Sequence, residues 1–282
     1  MSSFQLTSAI RYDPIHSPIL LLNHGQSPFL LLPYHFDRLK AAAALHGWQD
    51  TFATLSWSSF QSTCNRVVQE YNGHGKGGPL KVRSPSVNHA HFRLLSPIFF
   101  SSFFHQVRLV LHRAGNITAT VVPVSPLGAD PVLASHISPS TDALPPSLGE
   151  PIALFLDSVA TPSSLFTTTK TTNRGHYSAA RARFGLPEAG GPADVLLWNS
   201  NGMITETSVR NVAFFRHGRW VTPHDSTGCL SGVMRRWLLE QRLVVADDRG
   251  WLNKNNVQGG ELVLVFNAVE GCRIAIAHPR KV

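Results

Sequence analysis

The sequence predicts an α+β protein built from two sheet-bearing halves, and three observations carry that prediction. Apolar runs of strand length, punctuated by tight-turn dipeptides, fill residues 194–215 and return in the tail at residues 261–277. Longer runs with helical spacing lie in the N-terminal half, at residues 33–48 and 57–71. Between the halves, residues 125–151 are rich in Pro, Ser, Gly and Ala, the composition of a linker.

Taken in order, residues 4–12 read as a strand that Arg11-Tyr12-Asp13-Pro14 ends. Residues 29–32 form a short apolar run. Pro33 then sits at a first helical turn, where a missing N–H costs nothing, and the alanines at 41–44 favour helix. Gly47 supplies the stop, with Phe36, Leu39, Ala43 and Leu45 as the expected buried face. In the next helix, Phe60, Cys64, Val67, Val68 and Tyr71 fall at helical spacing. Residues 72–79 are glycine-rich but lack the strand and G-K-[ST] helix of a phosphate loop, so a flexible loop is expected. Residues 80–87 and 107–124 read as strands, the second folded at Ala114-Gly115-Asn116. Residues 94–104 are strongly apolar and predict core packing or a subunit interface. Residues 152–156 read as a strand, and residues 261–277 as a hairpin turned at Glu270-Gly271.

A chain of 282 residues with 43% hydrophobic content is globular and long enough for a substantial core. No apolar run reaches the ~18 residues of a membrane span. The first residues lack the basic and apolar regions of a secretory signal, so a cytoplasmic location is expected. Cys64, Cys229 and Cys272 stand far apart and offer neither metal-ligand spacing nor a disulfide framework. The net charge of +8 is spread over scattered Lys and Arg residues, without the basic runs of a nucleic-acid binder. Small anionic ligands are the expected partners, rather than nucleic acid or a membrane.

The most informative stretch runs from residue 194 to 241. An apolar strand at 195–198 meets Asn201-Gly202, a tight hairpin signal. A second strand carries one carboxylate, Glu206, among uncharged neighbours; a third runs from Asn211, and His217-Gly218 turns it back. Thr222-Pro223 breaks the sheet, and Leu230-Ser231-Gly232 opens an amphipathic helix. An isolated acid beside a Gly-opened helix start suits a site that holds an anion and a cationic ring together.

Gly202, Ile204, Thr205, Glu206, Asn211, Thr222, Pro223, Leu230, Gly232, Val233 and Arg235 stand in the order of a known pattern, G-x-[IV]-[ST]-E-x-x-x-x-N, then T-P, then L-x-G-[IV]-x-R. The chain thereby resembles the fold-type IV pyridoxal-phosphate enzymes: branched-chain aminotransferases, D-amino acid transaminases and aminodeoxychorismate lyases. The resemblance implies their two-domain α+β fold, here 1–124 as a small domain and 125–282 as a large one. It also implies a cofactor between the domains and a homodimer. Relatives open with a strand-turn-strand unit ahead of the segment that residues 4–11 match, so a trimmed small domain is expected, or one whose edge strand is supplied otherwise.

Pyridoxal-phosphate chemistry needs a lysine at the cofactor aldehyde. Lys170 stands in a Thr-rich, uncharged segment that would favour its neutral amine. The resemblance points to the same residue, 36 positions before Glu206. It gives Glu206 to the pyridine nitrogen. It gives Arg38, in His35-Phe36-Asp37-Arg38-Leu39, to the phosphate, with the backbone amides of Gly232, Val233 and Met234 as further donors. Asn211 joins the cofactor-binding set. Lys170-Thr171-Thr172-Asn173-Arg174 and Gly232-Val233-Met234-Arg235 resemble the lyase branch more than the branched-chain branch. Arg174 is read either as a substrate-carboxylate ligand or as a helix-face residue. Tyr177 is read as a replacement for the ring-hydroxyl contact that relatives make from position 175, or as making none. Thr7 or Ser8 is the counterpart of a substrate-contacting threonine.

These features imply an aminodeoxychorismate lyase that makes 4-aminobenzoate and pyruvate for folate synthesis. The alternatives are a transaminase of branched-chain amino acids, D-amino acids or amines, and a descendant that binds without cofactor.

Overall fold

The computed structural model describes residues 4–14, 22, 27–74, 104–139, 143–188 and 190–278. The expected strand at 80–87, most of the glycine-rich segment and most of the apolar segment at 94–104 lie outside these residues.

Two sheets organise the chain. The first has three antiparallel strands in the order β1-β2-β3: β1 is Leu6–Tyr12, β2 His105–Leu111 and β3 Ile117–Pro123. Gly115, with φ +87°, turns β2 into β3 at the expected position. Three helices accompany this sheet: α1 (Leu32–Leu45), α2 (Gln49–Thr54) and α3 (Trp57–His74). Leu6, Ile10, Leu39, Phe60, Cys64 and Val107 pack into the core between them. Leu45 and Tyr71 depart from expectation, at 59% and 40% exposed. At 100° per residue Leu45 lies roughly half a turn round α1 from Phe36, off the stripe that Leu32, His35, Leu39, Ala42 and Ala43 bury.

The second sheet has eight strands in the order β6-β5-β4-β11-β10-β7-β8-β9. Its central strands are β4 (Ile152–Leu156), β10 (Leu262–Asn267) and β11 (Gly271–His278). On one side β5 (Ala193–Trp198) and β6 (Ile204–Thr207) extend it; on the other, β7 (Asn211–Arg216), β8 (Arg219–Thr222) and β9 (Val245–Ala246). The near-continuous apolar character of β4, β5, β7 and β10 reflects burial on both faces of the sheet. Two short helices, α4 (Leu165–Thr168) and α5 (Gly175–Arg183), flank the Lys170 segment, and α6 (Val233–Glu240) follows β8.

The segment expected to be a linker is instead packed. Val132, Ala134, Ile137 and Leu148 are buried in the core beneath α6 and β10. The Ile137 carbonyl accepts from Trp220 Nε1 at 3.0 Å, and the Pro131 carbonyl accepts from the Cys272 amide at 2.6 Å. A Cβ on residue 271 would stand 2.5 Å from that carbonyl, which is why the β10–β11 turn closes on glycine. The three cysteines are buried and unpaired as disulfides. Among the described residues no helix is long and apolar enough to cross a membrane.

Candidate active site

Lys170 lies at the seam between the two sheets. The Thr7 amide donates to the Lys170 carbonyl at 2.8 Å, Leu6 bridges Thr171, and the Thr172 amide donates to Gln5 at 2.9 Å. Strand β1 therefore continues its pairing onto the lysine segment. The threonines just before the lysine bond back within their own turn. Thr167 closes a capping box with Ser164, and the hydroxyls of Thr168 and Thr169 bond back to Ser164 and Leu165. Lys170 is left as the cation of a short, internally satisfied stretch.

Its side chain lines a cavity of about 1030 Å³ together with Thr7, Ser8, Arg38, Arg174 and the start of α6. Burial pushes the Lys170 ammonium down to about 7, and the positive charges of Arg38, Arg174 and Arg108 push the same way against Glu206. The cavity leaves Lys170 half-buried, so the direction of the shift, towards the neutral amine, is what matters.

Arg38 stands on α1, held from behind. Its Nη2 donates to Ser8 Oγ at 2.8 Å, and Ser8 Oγ also meets Nδ1 of the fully buried His35 at 2.7 Å. Burial lowers the guanidinium to about 10. Ser8 thus supports Arg38, and both Ser8 and Thr7 line the cavity.

The start of α6 forms the opposite wall. Gly232 caps it without a side-chain hydrogen bond. Asn211 Nδ2 donates to the Leu230 carbonyl at 2.9 Å and packs against Gly232, so its amide is spent on bracing this turn. The Gly232 amide is also spent, on Leu230 at 2.8 Å. Val233 and Met234 follow Gly232 along the cavity wall. Both side chains point away into the core. Arg235 donates to Asp225 and to the Pro223 carbonyl, each at 2.6 Å, which fixes the approach of the chain from β8.

Glu206 is 3% exposed, so it is not a surface acid. Burial pushes its carboxyl up to about 7, against the Tyr177 hydroxyl and the positive charges of Lys170 and Arg174. The Tyr177 hydroxyl donates to Glu206 Oε1 at 2.7 Å. α5 buries the Tyr177 ring and turns its hydroxyl onto the acid. Arg174 lines the cavity, with its guanidinium 4.6 Å from the centre of the Tyr177 ring and Nη2 on the Ser208 carbonyl at 2.8 Å.

Several residues of this region escaped the sequence reading. Arg11 is 2% exposed and donates to Val269 and Ser125 carbonyls, joining β1 to the large sheet. Arg108 faces the cavity from β2, opposite Ala9. The alternation Gln106-Val107-Arg108-Leu109 was the available signal, since period-two polarity marks one face of a strand. Deeper in, Asp194 is fully buried between Arg181 and Arg210, at 3.1 and 2.7 Å, and Arg210 also pairs with Glu270.

The family model for class IV amino-transferases matches residues 20–275. The chain belongs to the class IV aminotransferases. A Schizosaccharomyces pombe member, named provisionally as an aminodeoxychorismate lyase, is 35% identical over 254 residues, covering 89% of this chain and 86% of its own. The Saccharomyces cerevisiae aminodeoxychorismate lyase is 34% identical over 125 residues, covering 39% of this chain and 33% of its own. Among solved structures, a provisionally assigned amino-acid aminotransferase from Mesorhizobium loti superposes with a TM-score of 0.60 at 22% identity, covering 97% of this chain and 99% of that one. This class IV aminotransferase thus shares the α+β fold of that structure, with Lys170, Arg38 and the α6 start gathered on one cavity.

Proposed function

We propose that this class IV aminotransferase is a pyridoxal-phosphate-dependent aminodeoxychorismate lyase, converting 4-amino-4-deoxychorismate to 4-aminobenzoate and pyruvate. The observation that carries the proposal is the convergence of Lys170, Arg38 and the α6 start on one cavity. The residues fit a phosphate. Arg38 Nε is buried with no partner among the described residues, and the α6 start lacks a side-chain cap. Lys170 would hold the aldehyde carbon, and Glu206 would hold the proton on the ring nitrogen. When bound, the cofactor supplies an electron sink that acidifies the C–H beside the substrate amine.

Lys170, its ammonium lowered by burial to about 7, accepts that proton as general base. The ring-carbon bond to the enolpyruvyl oxygen breaks, the ring becomes aromatic, and the released enolpyruvate gains a proton to become pyruvate. Beside Arg38, Arg108 and Arg174 add positive charge to the cavity wall, which suits a substrate with two carboxylates. The names of the two yeast relatives support the lyase over a transaminase. A homodimer accompanies this reading, and light scattering should return twice the chain mass.

Incubation of the cofactor-loaded protein with 4-amino-4-deoxychorismate tests the proposal. Equal amounts of 4-aminobenzoate and pyruvate support it; unconsumed substrate contradicts it.

A further inference from the structure

The proposed function leaves one contact unused. Tyr177 stands on α5, seven residues after Lys170, and it is 6% exposed; Glu206 on β6 is 3% exposed. Their hydrogen bond of 2.7 Å joins two groups that burial drives towards neutrality. The phenol cannot be the acceptor for an ionised carboxylate, so it stands as a fixed donor on Oε1. Its ring is fixed as well. The Arg174 guanidinium covers it at 4.6 Å, and Arg174 is itself anchored to the Ser208 carbonyl, in the turn that follows β6. The helix after the lysine and the strand carrying the acid are thereby locked together at the acid.

We propose that Tyr177 is a positioning residue of the lyase: its hydroxyl, seated on Glu206 Oε1, holds that carboxylate as an anion for the ring nitrogen of a bound cofactor. The inference rests on the functional reading above. A carboxylate can hold a proton on a ring nitrogen only while it remains the anion, since a neutral acid would keep the proton itself. Burial opposes the anion at Glu206. Four features around it favour the anion: Tyr177 on α5, Lys170 and Arg174 in the segment before α5, and the backbone of Leu230. Cys229, in the loop before α6, also faces Glu206, but burial keeps its thiol protonated and uncharged. Lys170 must lose its positive charge to work as a base, and Arg174 is shared with the Ser208 carbonyl. Among the described residues, Tyr177 is the one side chain that hydrogen-bonds the carboxylate, and burial keeps its own proton in place.

Tyr177→Phe tests this because it keeps the ring under Arg174 and removes only the donor. Holoenzyme would be prepared with pyridoxal phosphate labelled with nitrogen-15 in the ring, and borohydride trapping would first place the adduct on Lys170. In Tyr177→Phe the ring-nitrogen resonance should move towards that of an unprotonated pyridine at the same pH. The acid limb of kcat/KM should move up by about one pH unit, the differential worth of one charge-assisted hydrogen bond. Its sign follows from the loss of a donor, which makes Glu206 hold its own proton to higher pH. As a second variant, 3-fluorotyrosine in place of Tyr177 is a stronger donor and should move the limb down. Adding Tyr177→Phe to Glu206→Gln should leave the nitrogen resonance unchanged, since no carboxylate remains to hold. An adduct on Lys170 with the same nitrogen resonance and limb in wild type, Tyr177→Phe and the fluorotyrosine protein would overturn the proposal alone. Absence of any adduct in the wild type would overturn the functional reading and this proposal with it.

Discussion

The side-chain oxygen of Asn211 stands 1.8 Å from the place a Cβ on residue 232 would occupy. Asn211 cannot simply swing aside, because its amide braces the Leu230 carbonyl at 2.9 Å. Gly232→Ala should therefore displace the α6 start, with a loss of about 1–3 kcal/mol in stability and weaker cofactor binding. Thermal denaturation and cofactor titration measure the two effects. Asn211→Ala combined with Gly232→Ala should recover part of the stability, because the clash disappears even though the brace is lost.

Arg38→Ala removes the charged partner expected for the phosphate. Cofactor affinity should fall by roughly 1.5–3 kcal/mol, or about 10- to 150-fold, with turnover at saturating cofactor changed much less. Ser8→Ala should produce a smaller loss in the same direction, since it only loosens Arg38 through the 2.8 Å contact. Equilibrium titration of cofactor into each apo protein gives the comparison.

The buried acid makes the apo protein's stability depend on pH. The Glu206 carboxyl is raised from the ordinary 4.5 to about 7, so the folded state binds its proton more tightly than the unfolded chain. The stability this contributes is fully present below about pH 4.5 and is lost as pH rises through about 7. Glu206→Gln has no such loss. Its apo form should be more stable than wild type at pH 8, by at most about 3 kcal/mol, with the advantage vanishing towards pH 4.5. Urea denaturation at both pH values checks the sign.

Asp194 accepts from Arg181, Arg210 and Thr207 with no exposure to solvent. Asp194→Ala would leave the buried Arg181 without its carboxylate partner and Arg210 with Glu270 alone. A loss of about 3–5 kcal/mol in urea denaturation is expected. A loss below 1 kcal/mol would mean that water enters the cluster when the acid is removed.

Lys170 was legible as a lysine among threonines and Glu206 as an acid in an apolar hairpin, while Arg38 and the roles of all three came from the family pattern they match. The order of strands from residue 194 onward was legible because turn residues and alternation act over short distances. What could not be read depends on pairing across the chain. Ser8 reaches Arg38 over 30 residues, and Tyr177 reaches Glu206 over 29, through an approach of α5 to β6 that no local pattern encodes. The Gly232 amide bonds the Leu230 carbonyl in the turn into α6, a contact that no helix-start motif encodes. Composition misled at residues 125–151, where Pro, Ser and Gly shape a buttress carrying Val132 and Ile137 into the core.

The central claim is that Lys170 removes a proton in a reaction that ends in elimination rather than amino transfer. Pyruvate release from 4-amino-4-deoxychorismate, coupled to lactate dehydrogenase, tests it most directly when run beside the single-turnover conversion of the bound cofactor to its amine form by leucine, D-alanine and a simple chiral amine. The account predicts steady pyruvate release that Lys170→Ala abolishes, with at most slow conversion by the amino donors. Rapid conversion by an amino donor with no pyruvate from the chorismate derivative would contradict it.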